Sequence, residues 1–328
     1  MLRPDVDLSL PMKVLCITDI YPSATNPFKG NFVKQQVEQV SRLFGVKFTV
    51  VHLDKRPASI GGILQMAAAM FRLPFQYVFG GYDIIHVHYG LTAPAAFLLP
   101  KKKTLISFYG CDVNLPATRR ISGIFSRGMR ARIFVSEKLR GKLPGPATYV
   151  IPNGVDSVRF SPRDMGECKR RLGLDSAKKY FIFPSNPARE SKNYPLFKGI
   201  LDILKRHDSS VEEVVMNGTI TDDDLPLYYS AAHGMIMTST REGSPISTKE
   251  ALMANLPVFC TQVGDIAEQF AGVDGALVIP WEVEKAAAVV AGYMKDYRRS
   301  NGRIKIPDYA LESEARKIYE VYQSPLGT

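Results

Sequence analysis

Two glutamates eight positions apart, Glu242 and Glu250, flank the turn Gly243-Ser244-Pro245 and the opening of a helix. Gly243 permits an unusual backbone, Ser244 is a good N-cap, and Pro245 suits the first helical position, so the helix is expected to begin at Pro245. Such a start, continuing through Ile246 and Ser247, turns free amides and the positive end of the helix dipole toward an anion. Carboxylates repel phosphate but accept well from hydroxyls. A ligand carrying both groups, such as a nucleotide sugar, reconciles acids with an anion site. Taken alone, the same residues also describe an ordinary capped amphipathic helix.

Cations that would complete an anion site stand upstream. A strand over Tyr180 to Pro184 leads into SNPARESKN, which offers Arg189 and Lys192 before a helix through Leu196, Ile200 and Leu204. Arginine supplies a forked donor and lysine a mobile point charge, a pairing suited to a diphosphate. Two solvated surface cations are the alternative. In the first half, the strand Met12 to Thr18 empties into a loop ending at Gly30, and Thr104 to Phe108 delivers Tyr109-Gly110-Cys111-Asp112. Ligands of doubly wound sheets sit at such strand ends. Asp112 also suits a cap of the following turn, and Gly30 a plain turn. His86 and His88 share one face of the strand Asp83 to Tyr89, but no third metal ligand lies nearby. Neither GxGxxG nor a Walker A sequence occurs, and the acids Asp222 to Asp224 read as helix caps.

The string EGSPISTKEALMANLPVF followed by VGD resembles the E-x7-E signature of retaining glycosyltransferases of family 4, which have the GT-B fold, in the branch that assembles bacterial surface polysaccharides. PNGVD at 152–156 is similar to that family's interdomain signature, and the resemblance spans Val14 to Tyr322. It implies two Rossmann-like doubly wound domains facing a cleft, with a C-terminal helix crossing back to the N-terminal domain. It further implies a nucleotide-diphosphate sugar donor, hexosyl transfer with retention, no cofactor and no metal. Glu242, Arg189 and Lys192 would be catalytic. Gly30, Tyr109, Asp112, Gly243, Ser244, Pro245, Ile246, Ser247 and Glu250 would hold the donor, Glu250 accepting from the ribose. Many relatives carry histidine where this chain has Tyr109. A tyrosine hydrogen-bonds a hydroxyl but is no base near neutral pH.

The 328 residues suit two domains. They divide as 1–156 on the acceptor side, 157–310 for the nucleotide sugar, and 311–328 as the returning helix. Residues 1–160 hold 21 Lys and Arg against 9 Asp and Glu, whereas 161–328 hold 21 against 23. A basic first half fits an acidic ligand, a polyprenyl-diphosphate-linked acceptor or an anionic membrane surface, with a solvated basic face as the plain alternative. Nucleic acid is disfavoured by scarce aromatic-basic interleaving. No apolar run approaches the roughly 18 residues of a membrane span. No secretory signal is evident, the segment before Met12 reads as a loose leader, and the four cysteines form no CxxC pair. A cytoplasmic location is expected, with the basic half able to meet the inner face of the membrane. Residues 60–77 are expected to form a core helix interrupted at Pro74. Two rival functions are a GT-B relative such as a nucleotide-sugar 2-epimerase, and a basic membrane- or nucleic-acid-binding protein.

Overall fold

The computed structural model describes residues 11–24, 26, 29–55 and 59–324. All but one residue of the leader expected before Met12 lies outside the described residues. Short, nearly continuous apolar runs form the strands, the pattern of parallel sheets covered on both faces. The first strand, β1 (Lys13–Thr18), is buried at every residue after its lysine.

The chain divides into two compact units, one running to Asn153 and resuming at Leu311, the other spanning Gly154–Ala310. Unit 1 holds β1, β2 (Lys47–His52), β3 (Ile84–His88), β4 (Thr104–Phe108), β5 (Ala131–Phe134) and β6 (Thr148–Val150), in the order β2-β1-β3-β4-β5-β6. Unit 2 holds β7 (Lys179–Phe183), β8 (Val211–Val215), β9 (Gly234–Met237), β10 (Val258–Thr261) and β11 (Ala276–Ile279), in the order β11-β10-β9-β7-β8. Every pairing between these strands is parallel. Strand order reverses between β1 and β3 in one sheet and between β7 and β9 in the other. Those switch points open crevices at the strands' C-terminal ends.

Alternation along the strands feeds two cores per sheet. In unit 1, Leu15, Ile85, Ile106 and Phe134 pack with Leu73 of the helix Ile60–Gly80. Val14, Ile84, Leu105 and Ile133 face the other way, against Ala315, Ile318 and Val321 of the helix Leu311–Gln323. That terminal helix is stitched to unit 1 by polar bonds as well. Gln36 Nε2 donates to Glu314 Oε1 at 2.6 Å, and the Tyr322 hydroxyl lies 2.7 Å from His86 Nδ1.

The apolar stretch beginning at Ile60 departs from its expected form. Its helix runs unbroken to Gly80 through Pro74. Nor is it a core helix, since Ile60, Ile63, Leu64, Phe71, Phe75, Val78 and Phe79 are exposed. Only Gly62, Ala69 and Leu73 are buried, a narrow seam against the sheet.

Candidate functional site

In unit 2 the switch point is built from the loops after β7 and β9. Asn193, in the left-handed region at φ 51°, ends a short 3-10 turn (Glu190–Lys192) and starts the helix Tyr194–His207. The β9 exit is tied to that turn. Thr238 Oγ1 lies 3.0 Å from Lys192 O and 2.9 Å from Asn193 O, while Thr240 N donates to Ser191 O at 2.8 Å. Stitching the loops together sets Lys192 against Glu242, Nζ to Oε1 at 2.5 Å, with each side chain only 16% exposed. Arg189, expected as the partner cation, is exposed, and its side chain joins no ion pair among the described residues.

The turn after Glu242 is held differently from the expected capped start. The helix is Ile246–Met253 with Pro245 at its N-cap, so Pro245 supplies no amide and the first N–H belongs to Ile246. Ser244 does not cap it. Its hydroxyl is 2.7 Å from Asp265 Oδ2 and 2.6 Å from Lys249 Nζ, both buried. Gly243 is not among the glycines of positive φ. Gly264 is, at φ 55°, and a Cβ there would come within 2.7 Å of the Gly243 carbonyl oxygen. The VGD loop therefore presses on the turn from beneath. Gln269 Nε2 donates to Asp265 Oδ1 at 2.7 Å, and Thr248 Oγ1 lies 2.5 Å from Gln269 Oε1. Lys249, Asp265, Gln269 and Thr248 thus form a buried polar floor that the expected site lacked. The available signal was Lys249 inside the helix ISTKEALM, with an acid waiting in VGD.

The N-cap residue of the helix Ile246–Met253 makes no side-chain cap bond, so among the described residues the first amides, at Ile246 and Ser247, are left for an anion. Glu250 is half-buried, and Tyr229 donates to its Oε2 at 3.0 Å. Burial pushes the Glu250 carboxyl up to about 7, partly offset by Tyr229 and by the charge of Arg159. The sequence had not pointed to Tyr229.

Unit 1 assembles a second set of strand-end groups. Gly30 adopts φ 71° at the start of the helix Asn31–Phe44, and a Cβ there would lie 2.1 Å from Ile20 O. Only glycine fits so close to that carbonyl. Asp112 is fully buried and accepts from the amides of Gly90, Tyr109 and Gly110 at 2.8–3.2 Å. Burial pushes its carboxyl up to about 6 against the pull of those amides. Asp112 accordingly shapes the loops after β3 and β4 and presents no free oxygen face. The Tyr109 hydroxyl lies 2.6 Å from His88 Nδ1, its ring tilted on Phe32. Burial holds the phenol well above its ordinary value and the His88 imidazole well below its own. At neutral pH the pair is a neutral hydrogen bond. The His86 and His88 rings lie with centres 4.0 Å apart, tilted by 31°, and both His86 nitrogens are taken, by Tyr322 and Ser107. Among the described residues no group of three or more His, Cys, Asp or Glu could hold a metal. Asp19, which the sequence left as loop, anchors this switch point by accepting from Thr92 Oγ1 at 2.8 Å.

Residues 198–296 match the family described as Glycosyl transferases group 1. The chain is 24% identical over 350 aligned positions to TuaC of Bacillus subtilis, a glycosyltransferase named for teichuronic acid biosynthesis, covering 86% of this chain and 89% of that one. It is 28% identical over 235 positions to LpsB of Rhizobium meliloti, a mannosyltransferase of lipopolysaccharide core biosynthesis, covering 60% and 66%. Sucrose-phosphate synthase from Thermosynechococcus elongatus superposes with a TM-score of 0.77 at 16% identity, over 95% of this chain and 98% of that one. The fold is that of the GT-B glycosyltransferases. The sequence likenesses support a glycosyltransferase.

Proposed function

We propose that this protein is a retaining, metal-independent hexosyltransferase of glycosyltransferase family 4, taking its sugar from a nucleotide diphosphate donor and passing it to a saccharide or lipid-linked saccharide. The observation that carries this reading is the Lys192–Glu242 pair at the β7/β9 switch point, one turn from the open amides of Ile246 and Ser247. A glycosyl donor leaves as a nucleoside diphosphate, and stabilising its growing negative charge is the main electrostatic task. Lys192 and the helix start supply that positive potential, with Arg189 free to swing onto the outer phosphate. Gly243, Ser244 and Pro245 hold the turn in shape over the buried Lys249–Asp265 floor. Glu250 accepts from the ribose hydroxyls. Glu242 orients the sugar and faces its developing positive charge. Attack from the face the diphosphate leaves, with the departing phosphate taking the acceptor proton, retains the anomeric configuration.

Acceptor binding falls to unit 1. The exposed apolar face of the helix Ile60–Gly80, with Lys101, Lys102 and Lys103 in the same unit, suits adsorption to an anionic bilayer. Such contact would be peripheral: among the described residues no helix is long and apolar enough to cross a membrane.

A thermal-shift screen against UDP-, GDP- and ADP-sugars tests the donor assignment, because a ligand that binds only the folded state raises apparent stability. One donor should stabilise the protein, and Glu242→Ala should fold normally yet nearly abolish transfer from it. Stabilisation by no nucleotide sugar, or normal turnover by Glu242→Ala, would sink the proposal.

A further inference from the structure

Unit 1 carries a cavity of about 890 Å³ lined by the helix Pro116–Ser126 and by residues from 127 to 146. It shares no residue with the candidate donor site. Five cations line it, Arg119, Arg120, Arg127, Arg132 and Lys142, and no aspartate or glutamate does. Its volume falls within the usual range of small-ligand pockets, about 300–1,000 Å³.

Surface lysines and arginines are ordinarily solvated or paired, and most carry no message. Arg132 differs. It is only 8% exposed, it joins no ion pair among the described residues, and its one side-chain hydrogen bond is a long 3.5 Å contact to Pro146 O. A largely buried guanidinium that lines a cavity without a counter-charge is a ready partner for an anion. Burial holds it below its ordinary value, with no neighbouring carboxylate pulling the other way. The chain has also made room for it. Gly145 has φ 155°, and a Cβ there would fall 1.6 Å from an Arg132 guanidinium nitrogen. Lys142 likewise faces a neutral partner, Asn114 Oδ1 at 2.5 Å. The nearest acid along the chain, Glu137, is taken by Arg140 at 2.7 Å.

The rest of the lining is apolar, with Ile124, Met129 and Leu143 between the cations. Ile124 is 60% exposed, and Phe125 beside it in the chain meets exposed Phe97 edge-on. Forked donors around an apolar floor suit a phosphate or diphosphate attached to an apolar body.

We propose that this pocket is an oxyanion site for a phosphate-bearing amphiphile, with Arg132 as its buried anchor and Arg119 and Arg127 closing on the remaining oxygens. The phosphate can belong to a bilayer headgroup or to a soluble phosphate ester, and the experiment separates the two.

Full-length protein carrying Arg189→Ala and Lys192→Ala, which removes the donor-site cations, is titrated with inorganic pyrophosphate and co-sedimented with phosphatidylcholine vesicles containing phosphatidylglycerol. Adding Arg119→Gln and Arg127→Gln should weaken binding of at least one probe tenfold or more. The charge-matched pair Lys47→Gln and Lys138→Gln, which does not line the pocket, should stay within twofold. Gly145→Ala, which changes no charge, should also weaken binding by displacing the Arg132 guanidinium. A response confined to vesicles assigns the phosphate to a lipid, and one confined to pyrophosphate assigns it to a soluble ester. No binding of either probe by the starting protein, or Arg→Gln and Gly145→Ala variants that bind like the charge-matched control, overturns the proposal.

Discussion

If Lys192 must serve a departing diphosphate, it has to loosen its hold on Glu242, and that exchange is measurable. At an effective dielectric near 20, charges this close attract by about 6 kcal/mol before desolvation is counted. The side chains are 16% exposed. Most of the gross attraction is therefore offset, leaving a coupling of about 1–3 kcal/mol. Glu242→Gln frees the lysine at little steric change. It should tighten binding of the product nucleoside diphosphate by roughly 3- to 10-fold, or about 0.7–1.4 kcal/mol, while slowing transfer by 100-fold or more. Lys192→Met should weaken that binding by at least tenfold and slow transfer as well. Isothermal titration of both single variants and the double variant with the product nucleotide closes the cycle. Equal weakening by Glu242→Gln and Lys192→Met would refute the competition, because it would mean that the glutamate supports the diphosphate instead of holding its cation in reserve.

Three more outcomes follow from the geometry. Because burial lifts Glu250 from its ordinary 4.5 to about 7, the native state binds more protons than the unfolded one between those values. Stability should fall as pH rises through that window, by roughly 1–3 kcal/mol given partial solvent screening; urea titrations from pH 4.5 to 7.5 should show this slope, and Glu250→Gln should flatten it. Gly30→Ala drives a Cβ to within 2.1 Å of Ile20 O and should destabilise unit 1 by about 2–4 kcal/mol, read as a lowered thermal midpoint. Phe75→Ser with Phe79→Ser, at sites 68% and 86% exposed, should leave that midpoint within a degree or two but reduce co-sedimentation with anionic vesicles.

Secondary structure was largely legible because these strands are covered on both faces. Runs such as TLISF (β4) and VFCT (β10) stand out as unbroken apolar segments, and β4 has the bounds expected of it. Glu242 and Glu250 were legible as a pair because their spacing is local. The contacts that shape the site were not, since tertiary approach sets them. Lys192 and Glu242 are 50 residues apart, and no periodicity announces that Thr238 and Thr240 will stitch their loops. Ser244 illustrates the same limit. Its local preference favours capping, but a buried lysine and aspartate offer stronger, charge-assisted bonds and win. The helix Ile60–Gly80 failed differently: an apolar sequence says that a surface avoids water, not which surface will cover it.

The terminal helix carries a consequence for dissecting the molecule. The chain leaves unit 1 at Asn153 and re-enters it at Leu311, and the two crossing points are joined, with Val155 bridging to Ala310 and its N–H donating to Tyr309 O at 2.9 Å. Topologically, unit 2 is an insertion within the chain of unit 1. A fragment of residues 154–310 has its ends already fastened together and is a natural piece to express alone. A premature stop after Ala310, by contrast, strips Tyr322 from buried His86 and Glu314 from Gln36. It would wound the unit encoded first while removing no residue of the unit encoded last before the stop.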